Sequence, residues 1–204
     1  MNRSIWLSIL SIFAVTALVG GLTFAFFSNT GTSSANTFST GTLDLRLSDT
    51  GTGPEADLDN VTASFGSNTL VPGSCTGNQT LTLKNVGTVA ANHAEVHLAN
   101  VISDANADAE PDMDTFLRIN LLDYDLSNKL GQISETNSNG FIDLEDWAAP
   151  ANAGVLDDLA LTDLGGVGHN LVMDICLDSS AGNTLQGDSV TSTFTVELNQ
   201  NASQ

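Results

Sequence analysis

Phe24-Ala25-Phe26-Phe27-Ser28-Asn29-Thr30, with Ser33-Ser34-Ala35-Asn36-Thr37-Phe38-Ser39-Thr40-Gly41-Thr42-Leu43-Asp44-Leu45 just beyond it, lies where an apolar leader gives way to a polar, β-branched chain. Upstream stand Asn2-Arg3, an apolar run over residues 5–19, Gly20-Gly21, and small residues, Thr23 and Ala25, at the recognition positions of a signal-peptidase cut. This is the three-part layout of a secretory signal peptide, with the cut between Ala25 and Phe26. The processed chain then opens on Phe26-Phe27-Ser28-Asn29-Thr30-Gly31-Thr32-Ser33-Ser34-Ala35-Asn36, an arm with extended-strand character and no local partner. A strand unpaired at a free end invites pairing with another chain. A disordered leader is the alternative for the same residues.

From residue 37 to 47 the pattern has a period of two, but its phase changes. Phe38 is even and Leu43, Leu45 and Leu47 are odd, with Gly41 between them, where a bulge would keep both sets inward. A Gly, Thr, Asp and Pro loop follows, then a short strand over 58–65 and a turn at Pro72-Gly73. Leu81 and Leu83 alternate with Thr80, Thr82 and Lys84. Over 89–101, Ala94, Val96 and Leu98 share the inward face, and His93, Glu95 and His97 project together from a solvated one. Asp112 is placed to cap a turn before Phe116. Leu117, Ile119 and Leu121 are followed by Leu122, Tyr124 and Leu126 in the opposite phase, which requires a bulge or cover on both faces. A short helix is expected over 144–149 before Pro150, and a second over 155–164 with Gly165-Gly166 as its C-cap. Leu171, Met173, Ile175 and Leu177, then Val190, Ser192, Phe194, Val196 and Leu198, mark the two clearest strands. Strands joined by loops rather than long helices read as all-β, an antiparallel sandwich with short helices in its loops. One domain over 37–204, an arm over 26–36 and a leader over 1–25 account for the 204 residues.

The chain carries five Lys and Arg against 24 Asp and Glu, and Arg3 departs with the leader. So anionic a chain repels phosphate backbones and anionic membrane surfaces, which argues against nucleic-acid binding and suits a cation-rich exterior. The two cysteines, Cys75 and Cys176, read as a disulfide in an exported protein, with two buried thiols as the alternative. Closing a loop of about 100 residues would stabilise the fold by roughly 4–5 kcal/mol on chain entropy.

Three patterns bear on chemistry. In His93-Ala94-Glu95-Val96-His97 the glutamate is misplaced for the helical zinc motif, and on a strand the two histidines stand about 13 Å apart, so an ordinary strand face is expected there. The run from Glu135 to Asp146 follows the twelve-residue calcium loop: Glu135, Asn137, Asn139, the Phe141 carbonyl, Asp143 and Asp146 as oxygen ligands, Gly140 at the turn and Ile142 at the apolar position. A solvated turn is its alternative. Asn60, Asn78 and Asn201 begin glycosylation sequons.

The block from Asn36 to Leu45, placed just after a signal peptide, resembles the start of the TasA/camelysin family of secreted matrix-filament subunits, to which archaeal bundling pilins are similar. Leu70-Val71-Pro72-Gly73, Leu81-Thr82-Leu83-Lys84-Asn85-Val86-Gly87 and Gly187-Asp188-Ser189-Val190-Thr191-Ser192-Thr193-Phe194 fall in the family's order and spacing. The resemblance implies a jelly-roll-like β-sandwich, not an enzyme and with no required cofactor, that polymerises outside the cell by donating its N-terminal strand to a neighbour. The expected partners are further copies of the chain, head to tail, neighbouring filaments, and signal peptidase. Against this stand a camelysin-like secreted metallopeptidase, for which no metal or nucleophile site can be assembled from the sequence, and a monomeric surface adhesin or a domain tethered by an uncleaved leader.

Overall fold

The computed structural model describes residues 2–22, 39–50, 55–62, 64–67, 69–105 and 111–201. Met1–Ser39 and Thr40–Gln204 are separate compact units. In the first, α1 (Arg3–Leu22) covers the apolar leader. Trp6, Leu7, Leu10 and Phe13 are all exposed on it, and Ser4, Ser8 and Ser11 stand one turn apart along it, the hydroxyls of Ser8 and Ser11 donating to the Ser4 and Ser8 carbonyls at 2.9 Å each. Among the described residues no helix is long and apolar enough to cross a membrane. The expected cleavage residues Ala25 and Phe26, and the whole expected arm 26–36, lie outside the described residues.

The second unit is built from antiparallel sheets. β1 (Leu45–Asp49), β2 (Gln79–Asn85), β4 (Leu117–Tyr124), β5 (Ser127–Asn128) and β6 (His169–Leu177) form a five-stranded sheet in the order β1-β2-β6-β4-β5. β3 (His93–Ser103) and β7 (Ser189–Asn199) pair over eleven residues as a second sheet. One core joins the two sheets: Leu81, Leu83, Leu171 and Met173 from the first meet Ala94 and Val96 from the second. These are the alternating residues that a half-buried strand requires. The opposed phases of the fourth strand resolve as a bulge between Ile119 and Leu121, which leaves Leu117, Ile119, Leu122 and Tyr124 all buried. Leu126 falls in the turn beyond and is 93% exposed.

Local expectations change in several places: residues 39–44 form no strand, so β1 starts only at Leu45 and Gly41 sits in no bulge. Residues 155–159 form no helix; Leu159 instead bridges to Ala94 on β3, since its apolar residues fit equally well against a strand edge. The expected strand over 58–65 is reduced to a bridge between Leu58 and Leu47. The turn at Met113–Phe116 is a 3-10 helix that Asp112 does not cap through its side chain. The helix expected at 144 is present as α2 (Leu144–Ala148), where Asp143 and Asp146 form a reciprocal capping box. Gly87 is required by proximity, because a Cβ there would collide with the Thr42 carbonyl.

Candidate functional site

One long strand edge of the two sheets has no backbone partner among the described residues. Ala94 and Leu159 exchange backbone hydrogen bonds of 2.8 and 3.1 Å, and Val96 N–H donates to the Leu156 carbonyl at 2.9 Å. The even residues of β3 therefore turn their backbone groups away from β7. Because Val96 lies opposite Val196, the even residues of β7 turn theirs away from β3. Val190, Ser192, Phe194, Val196 and Leu198 thus present N–H and C=O groups outward, and no described residue makes a backbone hydrogen bond to them. The other sheet's edges are managed: Leu58 and Glu55 bond to β1, and Ile142 and Lys129 to β4. An eleven-residue edge without a backbone partner among the described residues is a template for another strand.

Beside that edge runs a cleft of about 670 Å³, where Phe65, Leu70, Met113, Leu177, Val190 and Phe194 expose part of the apolar interior. Phe194 anchors it, with its ring centroid 5.1 Å from Phe65 and 5.5 Å from Trp147, edge-on to both. The wall opposite β7 is held by covalent and main-chain bonds. Cys75 and Cys176 are joined by a disulfide, and Gly73 and Thr76 donate to the Leu177 and Ile175 carbonyls at 2.8 Å each. The sequence marked β7 and the cysteines but not this cleft. It is made by residues from distant segments, and an open edge leaves no sequence signature.

On the outer face of the β3–β7 sheet, the face expected to be solvated is partly closed. His93 and Glu95 are buried. His93 Nε2 lies 3.1 Å from one Glu95 oxygen and His97 Nε2 3.2 Å from the other, while Asn199 donates to the first. Burial pushes the Glu95 carboxyl up, but the hydrogen bonds from His93, His97 and Asn199 outweigh it and hold the group below its usual range. A carboxylate depressed in the folded state stabilises the fold above its unfolded pKa, about 4.3, and that contribution disappears as pH falls through the lower folded value. Glu95→Gln should therefore lower stability at neutral pH by about 1–3 kcal/mol, the cost of weakening a buried charged hydrogen-bond centre. Its denaturation midpoint should also vary less than the parent's between pH 5 and 3, read by urea melts across about that range.

Among the described residues, the grouping that brings three His, Cys, Asp or Glu ligand atoms within 4.8 Å of one another is Cys75, Asp174 and Cys176, and its two sulfurs are joined in the disulfide. The two histidines of the His93–Glu95–His97 group grip opposite oxygens of one carboxylate rather than a common point. The loop from Glu135 is tightly hydrogen-bonded. Glu135 accepts from Gly140 N–H at 2.7 Å, and Asp146 accepts from Thr136 and from Asp143 N–H. Asn137 and Asn139 both donate to Asp143. Phe141 N–H is held by Asn139, and its ring lies 6.0 Å from the Arg118 guanidinium. Asn60, Asn78 and Asn201 are exposed.

A family model described as Camelysin metallo-endopeptidase matches residues 1–204. The chain belongs to the camelysin family. This is the TasA/camelysin family that the block from Asn36 to Leu45 resembles, and the match extends over the leader and the sheets alike. No curated protein matches the chain. The family's description implies a catalytic metal, and the described residues of this camelysin-family chain do not fit one. Its histidines are committed to Glu95, Asp125 and Asp163, and among the described residues the grouping of three ligand atoms is Asp174 with the two disulfide sulfurs.

Proposed function

We propose that this camelysin-family chain is a secreted, structural subunit of an extracellular filament, and that the cleft along β7 accepts residues 26–36 of a second copy. The observation that carries this reading is the outer edge of Val190, Ser192, Phe194, Val196 and Leu198, which has no backbone partner among the described residues and stands beside exposed apolar interior. A polar, β-branched segment supplies the missing ladder, and Phe26 or Phe27 enters the cleft; burying one phenylalanine contributes about 1.5–3 kcal/mol. With the added strand the two sheets complete a jelly-roll-like sandwich. Donor and acceptor are different surfaces of one chain, so the contact is head-to-tail and propagates as a fibre instead of closing.

The second reading, a secreted metallopeptidase, is favoured by the family's description alone. Electron microscopy of the purified processed chain, paired with hydrolysis of a general protein substrate with and without chelator, separates the two. Filaments without chelator-sensitive hydrolysis are the expected outcome; chelator-sensitive hydrolysis by a chain that stays monomeric would overturn the proposal.

A further inference from the structure

At one end of the five-stranded sheet the strand ends lie in a row. β1 begins at Leu45, opposite Asn85 where β2 ends. β6 begins at His169, opposite Leu83 of β2, and β4 ends at Tyr124, opposite Leu171 of β6. With neighbouring strands about 4.8 Å apart, the row is roughly 14 Å wide. In the turns and loops at this row Leu126, Leu164, Val167 and Val86 are exposed. Their segments are tied together. Asp125 and Asp163, each directly before one of the two leucines, lie 2.6 and 3.2 Å from the two ring nitrogens of His169. Gly166 donates its N–H to the Asn85 carbonyl at 3.1 Å, and a Cβ on it would lie 3.3 Å from Val86 Cγ1. Exposed apolar side chains scattered singly are ordinary, whereas a group of them held together at one end of a domain marks an interaction surface.

Leu126 adds an independent sign. Asp125 and Leu126 are the central residues of the two-residue turn joining Tyr124 to Ser127, with φ of 48° and 66°. A hairpin turn with positive φ at both positions selects Asn, Asp or Gly, because bulkier side chains are strained in the left-handed region. Asp125 conforms and Leu126 does not. Its side chain is 93% exposed, so packing within the subunit returns almost nothing for the strained backbone. A residue unfavourable to the subunit on both counts is accounted for by a contact outside it.

We propose that this end row packs against the next copy of the chain, a second contact between subunits that rests on the arm-and-cleft reading above. The covalent chain commits the row to that occupant. The residues leading into β1 pass along it: Thr88 and Val89 N–H donate to the Thr42 carbonyl at 2.8 and 3.1 Å, and Val86 N–H donates to the Asp44 carbonyl at 2.8 Å. Six Cα steps lead from Asn36, where the arm ends, to Thr42, and they reach at most about 20 Å. An arm seated in a neighbour therefore holds that neighbour's surface within about 20 Å of Thr42, where the row meets protein rather than open solvent. Two chains of formal net charge −19 repel each other when brought so close. Burial of Leu126, Leu164, Val167 and Val86 against the neighbour offsets that repulsion.

The test is the assembly threshold of the processed chain, read by sedimentation over a concentration series, in Leu126→Asn and in the double variant Leu164→Ser with Val167→Ser. Asparagine suits the positive φ of the turn, so Leu126→Asn should melt at the parent's temperature or above it, and a circular-dichroism melt checks the double variant. A fluorescent peptide of residues 26–36, titrated into each chain below its threshold, reads the arm-and-cleft contact alone. The expected result is a threshold at least about tenfold higher in both variants, as the loss of a buried leucine implies, with peptide affinity unchanged. Val101→Ser, which trims an exposed valine near the far end of β3, should assemble as the parent does. Equal thresholds in the parent and both folded variants, with the peptide still bound, overturn this contact and leave the arm reading standing. A rise matched by Val101→Ser, or accompanied by weaker peptide binding, overturns it as well. A parent that does not bind the peptide or does not assemble removes the arm reading, and this contact with it.

Discussion

A processed chain lacking residues 26–36 should fold and melt as the intact one does and form no filaments. The core that holds the two sheets draws on Leu81, Leu83, Ala94, Val96, Leu171 and Met173, none of which is deleted with residues 26–36. What the deletion removes is the strand proposed to bond to the five outward N–H and C=O pairs of β7. At about 0.5–1.5 kcal/mol net for each main-chain bond, together with a buried phenylalanine, most of the association energy goes with it. Electron microscopy and sedimentation at matched concentration give the readout. The deleted chain should also cap intact subunits, because its acceptor cleft remains, and so shorten their filaments at substoichiometric ratios. Filaments of normal length from the deleted chain alone would contradict the scheme.

Val196→Pro makes the complementary change on the acceptor. Val196 N–H points to the open edge and takes no part in the ladder to β3, so proline there removes only an outward donor, the placement in which edge strands tolerate it. The monomer should lose about 1–3 kcal/mol through the smaller side chain and the fixed φ. Assembly should suffer more. One ladder bond is lost and the ring crowds the incoming strand, raising the concentration needed for filaments at least about tenfold, equivalent to roughly 1.4 kcal/mol. Val196→Ala trims the same side chain but keeps the N–H, and should assemble much as the parent does. If the alanine and proline variants assemble equally poorly, the edge is not the acceptor.

How far the sequence could be read follows from which physical signals are local. Period-two alternation placed β2, β6 and β7 with their buried faces, and the phase reversal from Ile119 to Leu122 called for either a bulge or cover on both faces, of which the fourth strand contains the bulge. Asp143 and Asp146 lie three apart around the start of α2, a capping signal carried by adjacent residues. Residues 155–164 misled because their apolar spacing suits a helix or a strand edge equally, and tertiary pairing of Leu159 with Ala94 settled it. The burial of His93 and Glu95 was invisible for a related reason: alternation assigns residues to faces but does not say what covers a face. The cleft was the least legible feature, since Phe65, Met113 and Phe194 meet only after the sheets pack.

The claim on which the account rests is that the outer edge of β7 is open in the subunit and paired in the filament. Residue-resolved amide exchange over β7 (Ser189–Asn199), compared between assembly-blocked monomer and filament, tests it most directly. The odd residues, bonded to β3, should be protected in both states, whereas Val190, Ser192, Phe194, Val196 and Leu198 should exchange freely in the monomer and become protected on assembly. Even-residue amides that stay unprotected in mature filaments, or that are already fully protected in the monomer, would contradict it.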